Sequence, residues 1–238
     1  MEQARQAIQA RIVAAAHAAG RNPADITLIA VSKTHPAETV RAAYAAGLRA
    51  FGENRVQEAE EKIAACADLG PTVEWHLIGH LQRNKAKKAA SLFDVVHSLD
   101  RVELAQALSR YRLEAGRAPL RVLLQCNVSG EASKEGYAAA GWETDPALAA
   151  QIIADAREVS ALPGLQLIGL MTVAPYADDP EAVRPVFASL RRLRDMLQRA
   201  LGIPLPALSM GMSGDLAVAI AEGATMVRIG RALFGERG

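Results

Sequence analysis

The sequence predicts an α/β fold: a single TIM-type (β/α)8 barrel that spans residues 1–238 and has an extra N-terminal helix. Eight short apolar segments alternate with segments of helical periodicity, which is typical of parallel strands joined by helices. The 238 residues come close to the roughly 250 of a typical barrel, and eight strand–helix units leave none for a second domain. An open doubly wound sheet is the alternative, but no G-x-G-x-x-G motif follows the first strand.

Composition and charge exclude several other classes of protein. Half of the residues are hydrophobic, and the net charge of +1 offers no bulk attraction for nucleic acid or an anionic membrane. The two cysteines, Cys66 and Cys126, are too few for a disulfide framework and lie in no metal-ligand spacing, so we expect no metal site. The N-terminus lacks the apolar core of a signal peptide, and no apolar run is long enough to span a membrane. These features predict a soluble, reduced, cytoplasmic protein.

Apolar periodicity and turn residues place the elements of the first half of the chain. Residues 2–19 are rich in alanine, have one apolar stripe and end at Gly20, which predicts the extra helix. Pro36 starts the helix after the first strand, because proline is favoured in the first helical turn. The predicted strands are 26–32, 50–54, 73–79 and 93–98, and the later helices are 56–67, 81–92 and 101–114.

The second half of the chain continues the alternation. The predicted strands are 121–128, 165–173, 208–212 and 226–230, and helices are expected at 145–160, 180–201, 213–223 and from 231 onward. The helix that starts at Pro180 has the clearest apolar stripe in the chain. Ser213 is expected to cap the short helix that ends at Gly223. A polar loop over 129–136 interrupts the pattern.

Polar residues occur at many of the carboxyl ends of the predicted strands. They are Lys33, Asn54, His76, His80, His97, Asn127, Thr172, Ser209, Ser213 and Arg228. Each of them could be an ordinary hydrogen-bonding residue. Barrel enzymes place their chemistry at this end of the strands, so the number of polar residues at one end favours a functional site.

Lys33 and Arg228 stand out among these residues. Lys33 follows the first strand, where it either extends into solvent or is desolvated; desolvation lowers the pKa of an amine and makes it a usable nucleophile. On the last strand, Val227 and Ile229 share the face that meets the helices, so Arg228 points into the barrel mouth. Because the first and last strands are neighbours in a closed barrel, an amine and a guanidinium lie close together. They imply an anionic or electron-rich ligand.

Two turns after the last two strands predict a phosphate site. Residues 212–215 and 229–232 each open a helix, where free backbone N–H groups suit an anion, and barrels often bind phosphate there. Gly230 allows a close backbone approach. Ordinary helix capping is the alternative, and Asp215 would repel an anion unless it points away. A lysine for an imine, an arginine for a ring nitrogen and a phosphate site together describe pyridoxal 5′-phosphate (PLP).

Eight motifs occur in order along nearly the whole chain. They are AVSKTHP at 30–36, FGENRVQE at 51–58, WHLIGHLQRNK at 75–85, HSLD at 97–100, SGEASKEG at 129–136, GLMTVAP at 169–175, LSMGMSGD at 208–215 and VRIGRALFG at 227–235. Through them the chain resembles the YggS-like pyridoxal phosphate homeostasis proteins, also called PLPHP or the proline synthase co-transcribed family. These proteins are similar to the N-terminal barrel of alanine racemase.

The resemblance implies where the cofactor binds. Lys33 would carry PLP as an internal aldimine, and Arg228 would face the pyridine nitrogen. Asn54 and Met171 would lie beside the cofactor.

The resemblance also implies a phosphate site after the last two strands. Ser213, Gly230 and Arg231, the last through its backbone N–H, would hold the phosphate. Ser209 would lie nearby.

The same residues favour a PLP carrier over an enzyme. The pKa of an arginine is above ~12, so Arg228 cannot give a proton to the pyridine nitrogen, and an unprotonated ring is a weaker electron sink. This does not exclude racemisation, since the related racemases also use an arginine at this position. A racemase also needs a second acid/base, which alanine racemase takes from a tyrosine of another domain on the partner subunit. This chain has no room for that domain, and Tyr176 is the one tyrosine that could come near the mouth. We therefore expect a non-catalytic carrier in intracellular PLP, or vitamin B6, homeostasis.

Two enzyme activities stay open as alternatives. One is a PLP-dependent amino-acid racemase with a substitute acid, and the other is a lysine-imine aldolase on the same barrel. Apo forms of PLP-dependent enzymes are the expected recipients of the cofactor, and the chain is expected to be a monomer because it lacks the second domain that drives racemase dimerisation. Lys134, in the loop 129–136, is a solvated residue, part of a second, transient PLP site, or a contact during delivery of PLP.

Overall fold

The structure, a computed structural model that describes residues 1–235, confirms the predicted closed barrel of eight parallel strands surrounded by helices. The strands are β1 Thr27–Val31, β2 Ala50–Glu53, β3 Glu74–Leu77, β4 Val95–Leu99, β5 Leu120–Asn127, β6 Tyr137–Ala138, β7 Leu165–Met171, β8 Ala207–Ser209 and β9 Met226–Ile229. The helices are α1 Glu2–Ala18, α2 Ala37–Ala45, α3 Val56–Ala65, α4 Ala86–Leu92, α5 Val102–Glu114, α6 Pro146–Ser160, α7 Arg184–Leu201, α8 Leu216–Ala221 and α9 Arg231–Phe234. Residues 236–238, the end of the predicted domain, lie outside the described residues.

The order of the strands brings the first and the last together, as predicted. The strands pair in parallel in the order β4-β3-β2-β1-β9-β8-β7-β5, and the pairing of β4 with β5 closes the barrel. Ile29 of β1 lies in register with Arg228 of β9. The short strand β6 was not predicted; it pairs in parallel with the end of β5, Cys126 opposite Tyr137. Its two residues are too few to give an alternating pattern.

The interior of the barrel is apolar in one layer and polar in the next. The apolar cluster consists of Val95, Leu123, Met171 and Ala207, with Met226 packed against it. Residues two positions further along a strand share its face. At those positions the side chains of His97, Ser209 and Arg228 are buried. The polar layer therefore lies toward the carboxyl ends of the strands, where the functional site was expected.

The loop after β8 differs from the prediction. The strand ends at Ser209, and Gly211, with a φ of 95°, turns the chain soon after it. Helix α8 begins only at Leu216, with Asp215 at the N-cap position, so the prediction that Ser213 caps this helix is wrong. Arg11 of α1 instead donates a hydrogen bond to the Ser213 carbonyl at 2.7 Å, which ties the extra helix to this loop.

Two predicted helices begin as short 3₁₀ segments. Residues Arg83–Lys85 precede α4, and residues Pro180–Val183 precede α7. The Asp179 side chain accepts a hydrogen bond from the Glu181 N–H at 3.0 Å, which satisfies a free donor of the second segment. No helix of the described part of the chain has both the length and the apolar character needed to cross a membrane.

Candidate functional site

Lys33 lies in a cleft at the carboxyl end of the barrel. The cleft has a volume of about 530 Å³, which is within the range of small-molecule sites. Gly230 and Arg231 line it together with Lys33, and so do His35 and Met212. Lys33 is half-buried. Three residues that the sequence predicted from different ends of the chain therefore meet in one place.

A buried ion pair holds the chain on the N-terminal side of Lys33. The Lys62 ammonium of α3 donates to the Ser32 carbonyl at 2.7 Å and to the Glu53 carboxylate at 2.6 Å. The Ser32 hydroxyl donates to the same carboxylate oxygen at 2.6 Å. Burial raises the pKa of Glu53 above its ordinary value, while the hydrogen bond from Lys62 opposes this shift. We call Ser32, Glu53, Glu58 and Lys62 the Lys62 cluster.

The same cluster holds the chain on the C-terminal side of Lys33. The Thr34 N–H donates to the Glu58 carboxylate, which lies 3.3 Å from the Lys62 ammonium. Thr34 has a φ of 66°, in the left-handed region that a β-branched residue rarely adopts. The hydrogen bonds of the cluster stabilise this conformation. The backbone on both sides of Lys33 is thus fixed by one group of charged residues.

Arg228 is buried in the barrel interior. Its Nη1 donates to the Ser209 hydroxyl oxygen at 2.7 Å, and its Nη2 donates to the Thr172 carbonyl at 2.8 Å. Burial lowers the pKa of Arg228 to about 10, and Asp215 opposes this shift. The guanidinium therefore keeps its charge at neutral pH. The interior position confirms that Arg228 faces away from the surrounding helices.

The hydrogen bonds continue from Ser209 across the interior. His97 Nδ1 lies 2.8 Å from the Ser209 hydroxyl oxygen, and His97 Nε2 lies 2.9 Å from His76 Nδ1. His76 Nε2 lies 2.7 Å from the Glu74 carboxylate, which also accepts a hydrogen bond of 2.5 Å from Arg121. Burial lowers the pKa of His97 well below its ordinary value. The hydrogen bond with His76, together with Arg121, lowers the pKa of Glu74 to about 2.

The two predicted phosphate turns offer free backbone donors. The backbone N–H groups of Ser213, Gly214 and Gly230 donate to no acceptor among the described residues. Asp215 does not stand free beside them, because its Oδ1 accepts a hydrogen bond of 2.5 Å from the Met212 N–H. The carboxylate is thus engaged by its own turn. This arrangement suits an anionic group better than the sequence alone suggested.

Five of the predicted residues do not line the Lys33 cleft: Arg228 and Ser213, whose positions are given above, and Asn54, Met171 and Ser209. Asn54 lines a different cleft of about 560 Å³, together with Arg55 and Lys85. Met171 lies inside the barrel, in register with Ser209. Ser209 itself is fully buried and is hydrogen-bonded to Arg228. The roles of these five residues beside the cofactor stay predictions.

Lys134 and Tyr176 share another cleft, of about 380 Å³, beside the loop after β8. The Lys134 ammonium lies 3.9 Å from the Glu131 carboxylate. Tyr176 is 91 % exposed, and its hydroxyl donates to Asp178 at 3.1 Å. Neither residue lines the Lys33 cleft. Tyr176 is therefore not positioned as the acid of a racemase.

The sequence reasoning missed His35, Glu53 and Lys62. A signal for Lys62 was present, because residues 56, 59 and 62 follow each other at helical spacing on the buried face of α3. A lysine on a buried face requires an acceptor. Glu53, at the end of an apolar strand, was the available carboxylate.

Comparison with known proteins identifies relatives along almost the whole chain. The family model for the N-terminal domain of alanine racemase matches residues 4–238. A protein of Pseudomonas aeruginosa named pyridoxal phosphate homeostasis protein is 53% identical over 230 residues, which cover 97% of this chain and 93% of that protein. A protein of the same name from Aquifex aeolicus is 45% identical over 227 residues, 95% of this chain and 94% of that protein.

A solved structure has the same fold. It is PipY of Synechococcus elongatus PCC7942 with PLP bound, which is 42% identical to this chain. The TM-score is 0.78, and the match covers 95% of this chain and 100% of that chain.

Proposed function

This chain belongs to the family of pyridoxal phosphate homeostasis proteins, whose barrel is that of the alanine racemase N-terminal domain, and on this premise we propose that it binds PLP in the Lys33 cleft and serves in intracellular PLP homeostasis. The observation that carries the proposal is the Lys33 amine in one cleft with Gly230 and Arg231, beside a barrel interior that holds Arg228. A relative 42% identical in sequence has PLP bound.

The chemistry of these residues fits the groups of PLP. When bound, PLP supplies an aldehyde that an amine can take up covalently and reversibly. Lys33 would hold the aldehyde end, and the free N–H groups at Ser213 and Gly230, with that of Arg231, would hold the phosphate. Arg228 would donate to the ring nitrogen. The aldehyde, the phosphate and the ring nitrogen of the ligand would thus each have a partner of complementary charge or hydrogen-bonding character.

The proposed role is to hold and release the cofactor. Arg228 stays charged at neutral pH and has only donors, so it stabilises an unprotonated ring nitrogen and not the protonated ring that favours carbanion chemistry. A protein that binds PLP reversibly keeps a reactive aldehyde away from other amines. We further propose that the chain forms a single domain over residues 1–238, acts as a monomer in the cytoplasm, and gives PLP to apo PLP-dependent enzymes.

Transfer of PLP tests this role. The PLP-loaded protein, freed of unbound PLP by gel filtration, is expected to restore the activity of an apo-aminotransferase. The same amount of PLP held by the Lys87→Ala variant, in which an exposed lysine is changed, should transfer at the same rate. An apoenzyme that stays inactive over hours would contradict the carrier role. A slower transfer from Lys134→Ala would assign delivery to that residue, and an unchanged rate would leave it a solvated lysine.

The racemase alternative has one observation in its favour, since His35 lines the Lys33 cleft. Its ring packs against Phe234 with 5.1 Å between ring centroids. We expect the PLP-loaded protein to leave single-enantiomer alanine optically pure, which chiral chromatography measures. Steady racemisation that is lost in both Lys33→Ala and His35→Asn would establish the enzyme activity and overturn the expectation.

A further inference from the structure

A continuous row of hydrogen bonds runs through the barrel interior. We call it the interior chain, and it consists of Arg228, Ser209, His97, His76 and Glu74. Its four links measure 2.7, 2.8, 2.9 and 2.7 Å. Ser209, His97 and His76 are fully buried. No solvent reaches these three side chains, so their donors and acceptors must be satisfied by neighbouring residues of the interior chain.

The direction of every link follows from its two ends. An arginine has only donors, so Ser209 Oγ accepts from Arg228. The single hydroxyl hydrogen of Ser209 then goes to His97 Nδ1. A neutral His97 must carry its proton on Nε2 and donate it to His76 Nδ1. His76 in turn donates from Nε2 to Glu74, whose ionised carboxylate only accepts.

The charges around His97 agree with this direction. Of the groups that face it, Arg228 comes from β9 and Arg121 from β5, and both are cationic. Ser209 from β8 and His76 from β3 complete its hydrogen bonds. Burial opposes a charged imidazolium most, and Coulomb repulsion from the neighbouring His76, Arg228 and Arg121 opposes it further. The uncharged form of His97, with the proton on Nε2, is therefore the form that the interior selects.

The Arg228 end of the interior chain is on β9, two residues before Gly230, which lines the Lys33 cleft. Two N–H groups of the guanidinium donate to Ser209 and to the Thr172 carbonyl, and its other N–H groups have no acceptor among the described residues. We propose that His97 and His76 are positioning residues, which fix Ser209 as an acceptor and so orient the Arg228 guanidinium toward the ring of a ligand held at Lys33. This inference rests on the proposed function for the identity of the ligand.

The tautomers can be tested without any cofactor. In ¹⁵N-histidine NMR spectra of the PLP-free protein at pH 7, His97 is expected as the neutral Nε2–H tautomer. His97 is expected to stay neutral at pH 5.5. An Nδ1–H tautomer of His97, or an ordinary titration of His97, would overturn the direction of the interior chain.

The positioning role is tested with two substitutions of one residue. His97→Leu removes the acceptor of Ser209 and is expected to speed PLP dissociation by roughly tenfold, the effect of losing one hydrogen bond near a charged group, and to shift the absorption band of the bound PLP. In His97→Gln the amide oxygen can accept from Ser209 and the amide N–H can donate to His76. This variant is expected to restore both properties to within about twofold of the wild type.

The possible outcomes separate this inference from the proposed function. A role in stability alone would lower the melting temperature of the two variants without changing the band or the dissociation rate of the loaded protein, and that result would overturn the positioning role. If His97→Leu does not fold, His97→Gln and the NMR tautomers still decide. A wild type that forms no PLP chromophore would contradict the proposed function. The NMR spectra would then still test the direction of the hydrogen bonds in the interior chain.

Discussion

Replacing Lys33 with alanine is expected to abolish the covalent attachment of PLP. Lys33 is the one lysine among the described residues that line the cleft, so no other amine there can take its place. The wild type should gain an absorption band when PLP is added. Reduction with borohydride should then fix the cofactor on the peptide that contains Lys33, as mass spectrometry can show. In Lys33→Ala we expect a complete loss of both signals.

Two matched variants separate covalent attachment from simple charge attraction. Lys33→Arg keeps the cation but has no amine that forms an imine, so it should also lose the band and the reduced adduct. Lys87→Ala removes an exposed lysine of α4 and should behave as the wild type. An adduct of full yield on another lysine in the wild type would assign the attachment elsewhere, and it would remove the central observation from the proposed function.

The meeting of Lys33, Gly230 and Arg231 could be predicted from the sequence because it depends only on topology. A closed parallel barrel puts the carboxyl ends of all strands on one side, and it makes the first and last strands neighbours. The alternation of side chains along a strand then decides that Arg228 faces inward. None of these steps requires a distance or a rotamer, so a pattern of apolar and polar residues was enough.

The interior chain could not be predicted in the same way. His76 and His97 were recognised as polar residues at strand ends, but their contact depends on the register of β3 with β4, in which His76 pairs with Val95. A shift by one residue would send each side chain to the other face. Ser209 was expected near the phosphate because of the family resemblance. Its hydrogen bonds to Arg228 and His97 follow from the side-chain geometry, which a pattern of residue types does not contain.

The Lys62 cluster makes the second large prediction. Lys62 and Glu53 are 5 % and 0 % exposed, so replacing Lys62 with methionine leaves a carboxylate buried without its cation. The loss of one partner of a buried ion pair typically costs about 3–5 kcal/mol in the free energy of unfolding. We expect about 3 kcal/mol for Lys62→Met in urea unfolding, because Glu53 can take up a proton and limit the loss. Faster PLP dissociation should accompany it, since the Ser32 carbonyl loses its donor.

Surface and double variants test whether the ion pair itself is responsible. Lys88→Met removes the cation of an exposed pair with Glu60 and is expected to cost less than about 1 kcal/mol. The double variant Lys62→Met with Glu53→Gln lacks both charges of the buried pair, so it should recover most of the lost stability. Equal losses in the free energy of unfolding for the single and the double variant would show that Lys62 stabilises the fold through packing and not through its charge.

The pH dependence of the free energy of unfolding of Lys62→Met tests independently whether the buried ion pair is responsible for the loss. Burial already raises the pKa of Glu53 above its ordinary value of 4.5, and the hydrogen bond from Lys62 restrains that shift. Without Lys62 the pKa in the folded state should rise further, while in the unfolded state it stays near the ordinary value. The folded state then binds more protons, so the variant loses stability as the pH rises through the raised pKa. We therefore expect the loss in the free energy of unfolding relative to the wild type to be larger at pH 8 than at pH 5. Glu53→Gln in the same background should remove most of that dependence, because the fully buried carboxylate is gone and the remaining one, Glu58, is partly exposed.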